Sequence, residues 1–230
     1  LQKSILTEPL SYLRGSQALY SDLGFLLLGM VVEAASGKAL DLLFQERIAG
    51  PLGLSETLFF NRLGAERAGS YAATEFCPWR GRVLGGEVSD ENCFALGGVA
   101  GHAGLFGTTG GVLTLVEALH DLWQGEPSPL PIDPTALQKA LIRQPVPDST
   151  WALGFDTPSA SGSTSGRFFS ARSVGHLGFT GTSFWVDPEQ HVMVVLLTNR
   201  VHPSRDNNRI KAFRPALHDA VMQALGLAPQ

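Results

Sequence analysis

The stretch "GHLGFTGTSFWVDPEQHVMVVLLT", residues 175–198, sets the fold class because the periodicity of the chain changes there. Residues 173 to 179, 182 to 187 and 191 to 198 read as three short strands, joined by Gly181 and by the turn Asp187-Pro188-Glu189-Gln190. The last of them, "HVMVVLLT", is almost continuously apolar, as a strand covered on both faces is. Downstream, Ile210, Phe213, Leu217, Val221 and Leu225 form one helical stripe suited to covering the sheet, with Pro215 expected to kink or split that helix. Upstream, "SASGSTSG" (159 to 166) reads as a flexible tip. An antiparallel meander closed by a C-terminal helix, beside a helical lobe, is an α+β arrangement.

That lobe occupies residues 1 to about 150. In "ALYSDLGFLLLG", residues 18–29, Ser21 is a candidate cap and Asp22 falls in the first turn, where negative charge suits the helix dipole. The helix then runs to a Gly37 stop, and its apolar positions go almost all the way round, which predicts burial on most sides. A second helix covers about Leu40 to Ile48 and ends at Gly50-Pro51. Residues 54 to 92 show no regular pattern. "LGGVAGHAGLFGTTGG" (96 to 111) is a glycine-rich loop leading into a helix at about Val112 to Trp123, capped by Thr108 or Thr109. Asp133-Pro134, a cap followed by proline at the first helical position, opens a helix running through Leu137 and Leu141.

Composition narrows the function classes. Charged residues are 17% of the chain, below the roughly 25% of an average globular protein, and the net charge of −4 is spread without a basic stripe. Nucleic acid is therefore not an expected partner. Cys77 and Cys93 form no C-x-x-C pair and have no histidines at metal spacing, so zinc has no support; a disulfide between them and two reduced thiols both stay open. The longest greasy run, Leu23 to Ala35, contains Glu33 and falls short of the roughly 20 residues that cross a bilayer, so no membrane span is expected in this chain. The chain begins at Leu1, without methionine, signal peptide or transit signature, and an N-terminal portion is expected to be missing.

Two stretches carry candidate chemistry. Tyr20 is either a hydrophobic staple, packing from the position before the Ser21 cap onto Phe25, or a phenol that moves a proton. His176 lies on a predicted strand between Gly175 and Gly178, and glycine within a strand often marks a close approach to the backbone. It reads either as a satisfied histidine or as a functional one. His102 and His202 read as loop histidines satisfied by backbone groups. Asp90-Glu91-Asn92 reads as a solvated turn.

Taken together, these stretches resemble the serine β-lactamase and penicillin-binding superfamily, in its class C-like branch of esterases, D-amino peptidases and DD-carboxypeptidases. "YSDLGFLLLGMVVEAASGKALDLLFQERIAGPLGL" (20–54) is similar to that branch's second box and following helices, with Tyr20-Ser21-Asp22 at its Tyr-x-Asn position. "GHLGFTGTSFWVDPEQHVMVVLLTNRVHP" (175–203) is similar to its third box, with His176-Leu177-Gly178 where Lys-Thr-Gly stands in other members. "GGVAGHAGLFGTTGGVLTL" (97–115) resembles the middle segment. The first box, Ser-x-x-Lys, does not appear: no serine has lysine three positions on, and Ser11-Tyr12-Leu13-Arg14 offers an arginine that cannot accept a proton.

The resemblance implies one β-lactamase-like domain over 1–230, N-terminally incomplete, with the sheet in about 151–230. Its nucleophile would lie upstream, and a missing segment or another chain would cover a sheet edge. It implies acyl transfer through an acyl-serine on a small-molecule or peptide substrate, ester or amide, with no metal or cofactor. Tyr20 would be the base, His176 its electrostatic or hydrogen-bonding partner, Asp22 an orienting carboxylate, and the N–H of Phe179 an oxyanion donor. Leu177 and Gly178 would contact the substrate. A free phenol has a pKa near 10, so acting as a base at pH 7 asks for about 4 kcal/mol of phenolate stabilisation from cations. Without the serine, this chain alone is expected to be inactive. The alternative is a non-catalytic penicillin-recognition-like module that binds peptides or a protein partner.

Overall fold

A computed structural model describes residues 2–228. The helical lobe opens with α1 (Gln2–Thr7) and α2 (Asp22–Ser36), followed by α3 (Leu40–Phe44), which continues as a π-helical turn over Gln45–Ala49. Ser21 is the cap residue of α2 by backbone conformation, though its hydroxyl makes no capping bond. Gly37 ends the helix at φ 67°, a left-handed value suited to glycine, and its N–H donates to Glu33 O. The patternless residues 54 to 92, with the glycine-rich loop that follows them, hold two small antiparallel pairs. β1 (Leu58–Phe60) pairs with β4 (Leu105–Gly107), and β2 (Phe76–Cys77) with β3 (Arg82–Val83). Between them, α4 (Glu91–Ala95) is capped by Asp90, whose carboxylate accepts from Cys93 N–H. Cys77 and Cys93 are both free and buried, and burial pushes the Cys93 thiol up to about 12.

α5 (Thr109–Gln124) starts at Thr108, whose hydroxyl accepts from Gly111 N–H at 3.1 Å, and α6 (Pro134–Ala140) starts at Asp133 in the same manner. The main sheet is β5 (Val174–Leu177), β6 (Ser183–Asp187) and β7 (Val192–Leu196), antiparallel in that order. It lies between two helical layers. Val174 and Val186 pack with Val116 and Leu122 of α5 and with Leu137 and Leu141, while on the other face Trp185 and Val192 pack with Phe169 and Met222 of α7 (Ile210–Ala224). Asp187 closes the β6–β7 turn, fully buried, its carboxylate accepting from the N–H groups of Ser170, Glu189 and Gln190. Asp156 bridges the outer edge of β5 at Gly175, and among the described residues no strand pairs with the outer edge of β7.

Three sequence expectations are corrected. α2 buries only Leu26 and Gly29, because only its Gly29 side meets a neighbour closely: a Cβ on Gly101 would collide with Phe25 O. Leu23, Phe25, Leu28, Val31 and Val32 are exposed. In α7 the buried stripe is Ile210, Arg214, His218 and Met222, not the apolar series through Phe213 and Leu225, both of which are exposed. Polar side chains point inward there because backbone carbonyls receive them, and Pro215 leaves the helix unbroken. The 159–166 tip is pinned at its second half: Ser165 is buried, and His218 Nδ1 lies 2.9 Å from Thr164 O.

Candidate active site

The sheet delivers His176 to one end of β5, opposite Phe184 of β6. Gly175 beside it is a position where only hydrogen fits, since a Cβ would collide with Phe184 O and the Trp185 ring. A short turn over 151–156 lies along the same edge: Trp151 pairs with Asp156, and Asp156 exchanges backbone hydrogen bonds with Gly175 at 2.7 and 2.9 Å. This sets the Trp151 ring 6.0 Å, centroid to centroid, from His176. The Trp151 ring also meets Tyr20 at 5.8 Å, tilted by 43°. Tyr20 and His176 therefore both lie against one indole, and the two do not hydrogen-bond to each other. Trp151, which unites them, went unrecognised in the sequence, where one tryptophan in "STWALGF" carries no motif.

Tyr20 is 62% exposed, and its aromatic contact is with Trp151 rather than with Phe25. Partial burial of the phenol raises its pKa, and the carboxylates of Asp22 and Asp90 push it further the same way. That is opposite in sign to what a base needs. His176 is held below the ordinary imidazole value by burial, against a smaller pull from Asp156, so it is neutral at pH 7. Neither group ionises the other.

Asp22 belongs to a cluster outside the predicted trio. One oxygen each of Asp22 and Asp90 and one nitrogen of His102 lie within 4.8 Å of one another, the arrangement among the described residues with the donors to hold a cation. His102 Nε2 is 2.9 Å from Asp90 Oδ1, and its side chain is 5% exposed. Asp90 raises the His102 pKa, and the imidazole in turn lowers that of Asp90. This corrects two readings. His102 takes a carboxylate partner at Nε2 rather than a backbone one, and Asp90 is a helix cap in an ion pair rather than part of a solvated turn. The signal was available, since Asp90 stands at a cap position before Cys93. His202 does take a backbone partner, Thr74 O at 2.8 Å.

After β5, Gly178 N–H donates to Thr182 O at 2.8 Å and Gly181 N–H to Gly178 O at 3.1 Å, forming a tight turn. A Cβ on Gly178 would overlap the Thr182 hydroxyl. Phe179 stands at the tip, 60% exposed, and its N–H has no partner among the described residues. Leu177, the last residue of β5, pairs with Ser183.

The family model described as Beta-lactamase matches residues 1–217. The chain belongs to the beta-lactamase family. A relative from Escherichia coli, named "Putative D-alanyl-D-alanine carboxypeptidase", is 35% identical over 86% of this chain and 48% of its own length, so the chain spans about half the length of the curated relatives it matches. Among solved structures, a beta-lactamase from Mycobacterium bovis is 24% identical with a TM-score of 0.61, over 91% of this chain and 65% of that one. Simvastatin synthase from Aspergillus terreus is 19% identical with a TM-score of 0.65, over 96% of this chain and 59% of that one. These likenesses make the fold β-lactamase/transpeptidase-like. Among the described residues no single helix is long and apolar enough to cross a membrane.

Proposed function

We propose that this chain supplies the second and third parts of a serine acyl-transfer site, acting on esters or small amides, with the nucleophile on a Ser-x-x-Lys segment outside these 230 residues. The observation that carries the reading is that Tyr20 and His176 meet the same Trp151 ring, with the unpaired N–H of Phe179 three residues beyond His176. The carboxypeptidase name of the 35% identical relative supports an amide or peptide substrate.

The chemistry divides as follows. The serine oxygen attacks the substrate carbonyl while its proton passes to the Tyr20 oxygen, and the carbonyl oxygen, now negative, accepts from Phe179 N–H. The tetrahedral carbon expels the leaving alcohol or amine, which takes that proton, and leaves an acyl-serine. Water, giving its proton to the same phenolate, then releases the acid and restores the serine. Within this chain Tyr20 stays protonated at neutral pH, because partial burial and then its carboxylate neighbours oppose ionisation. The lysine of Ser-x-x-Lys is the cation the mechanism requires. Neutral His176 can donate a hydrogen bond but holds no permanent charge for a substrate carboxylate, which favours esters and small amides over β-lactams.

Labelling with a fluorophosphonate probe tests this. The 230-residue chain should remain unlabelled, and a longer form carrying Ser-x-x-Lys should label stoichiometrically at that serine. Labelling of this chain, or failure of the longer form to label, rejects the reading. The second outcome favours the binding module, a role the raised phenol pKa would suit.

A further inference from the structure

The turn after β5 is gripped by two arginines that have no carboxylate partner among the described residues. Arg214 reaches it from α7, 7% exposed, and its Nη2 donates to Gly178 O at 2.9 Å and to Thr182 O at 2.7 Å. Arg200 Nε donates to Phe179 O at 2.8 Å, with its guanidinium carbon 4.5 Å from the centroid of the Phe179 ring. Thr198 Oγ1 donates to Gly181 O at 2.7 Å. Four carbonyls of residues 178–182 thus accept from side chains behind the turn, while Phe179 N–H faces away unpaired.

Packing does not account for Arg214. It sits in the buried stripe of α7 with Ile210 and Met222, where an apolar side chain would fill the space without desolvating a charge. Burial and the nearby Arg200 charge both lower its pKa, yet guanidinium starts so high that it stays charged. Its Nε is buried with no hydrogen-bond partner, a further cost of holding the group there.

The two ends of one peptide explain the placement. Gly178 C=O and Phe179 N–H belong to the same conjugated amide, so a cation bonded to the oxygen draws electron density from the nitrogen and strengthens the N–H as a donor. The same bond fixes the plane of the amide and therefore the direction of the N–H. We infer that Arg214 is a positioning residue that polarises and orients the Gly178–Phe179 peptide, making Phe179 N–H a stronger oxyanion donor. Its catalytic part rests on the acyl-transfer reading above; its effect on the peptide does not.

The test has two arms. In ¹⁵N-labelled protein, Arg214→Met should move the Phe179 amide proton upfield, and Arg214→Lys, which keeps a cation at the carbonyls, should move it less. Near-UV circular dichroism of the buried Trp185 reports whether each variant is folded, and if Arg214→Met does not fold, Arg214→Gln, which keeps a neutral donor there, takes its place. In a longer form carrying the serine, Arg214→Met should lower kcat for an ester about 10-fold with KM within about 2-fold, less than the 10² to 10³ expected for losing a donor outright. Arg214→Lys should recover most of that loss. A Phe179 amide that stays put in the folded variant that lacks the cation overturns the inference, as does a moved amide with unchanged kcat in an active enzyme. A wild type that never acylates defeats the acyl-transfer reading instead, and the amide shift alone then decides whether Arg214 polarises the peptide.

Discussion

Tyr20 and Trp151 meet ring to ring at 5.8 Å, and this contact ties the start of α2 to the edge of the main sheet. Tyr20 is 62% exposed, and Trp151 is its aromatic partner. Trp151→Ala should cost about 1 kcal/mol, the scale of an aromatic pair, and should raise KM in a serine-bearing form by releasing the phenol. Trp151→Phe should restore most of both. Urea unfolding and ester kinetics on the three proteins check it.

The Asp90–His102 pair predicts a window of pH. The His102 pKa is raised in the fold, so its contribution is complete below the ordinary value of about 6.5 and is lost as pH rises through the raised one. Asp90 is lowered, so its contribution is complete above about 3.9 and is lost as pH falls through the lowered value. His102→Asn should therefore destabilise most between about pH 4 and 6.5, by about 1–2 kcal/mol. The gap in melting temperature from wild type should narrow towards pH 9. A gap independent of pH would remove the ion pair from the account.

Gly175→Ala places a methyl against Phe184 O and the Trp185 ring. The strand must shift to admit it, at about 1–3 kcal/mol, and His176 moves with it. Thermal unfolding should register the loss, and a serine-bearing form should lose kcat beyond what its folded fraction explains. Wild-type stability in the alanine variant would mean that the two strands are less closely packed than described.

The strands at 174–196 and the caps at Thr108 and Asp133 were readable because turn chemistry and period-two patterning are local. What escaped reading depended on distant partners. Arg214 and His218 face inward because carbonyls at 164, 178 and 182 receive them, which a rule that sends apolar residues inward cannot anticipate. Trp151 became part of the site only through its bridge to β5, and His102 through a carboxylate twelve residues upstream. The positions of Tyr20, His176 and Phe179 followed from resemblance, whereas the indole that touches the first two followed from the fold alone.

The proposed acyl transfer depends most on the Tyr20 phenol as the proton carrier. In a longer form bearing Ser-x-x-Lys, kcat for ester hydrolysis by Tyr20→Phe, measured beside its melting temperature, tests this most directly. The expected result is a loss of about 10² to 10⁴ with the melting temperature unchanged, since the hydroxyl is removed from an exposed side chain that keeps its ring on Trp151. A variant that turns over at the wild-type rate but melts early would contradict it and leave Tyr20 as a packing residue.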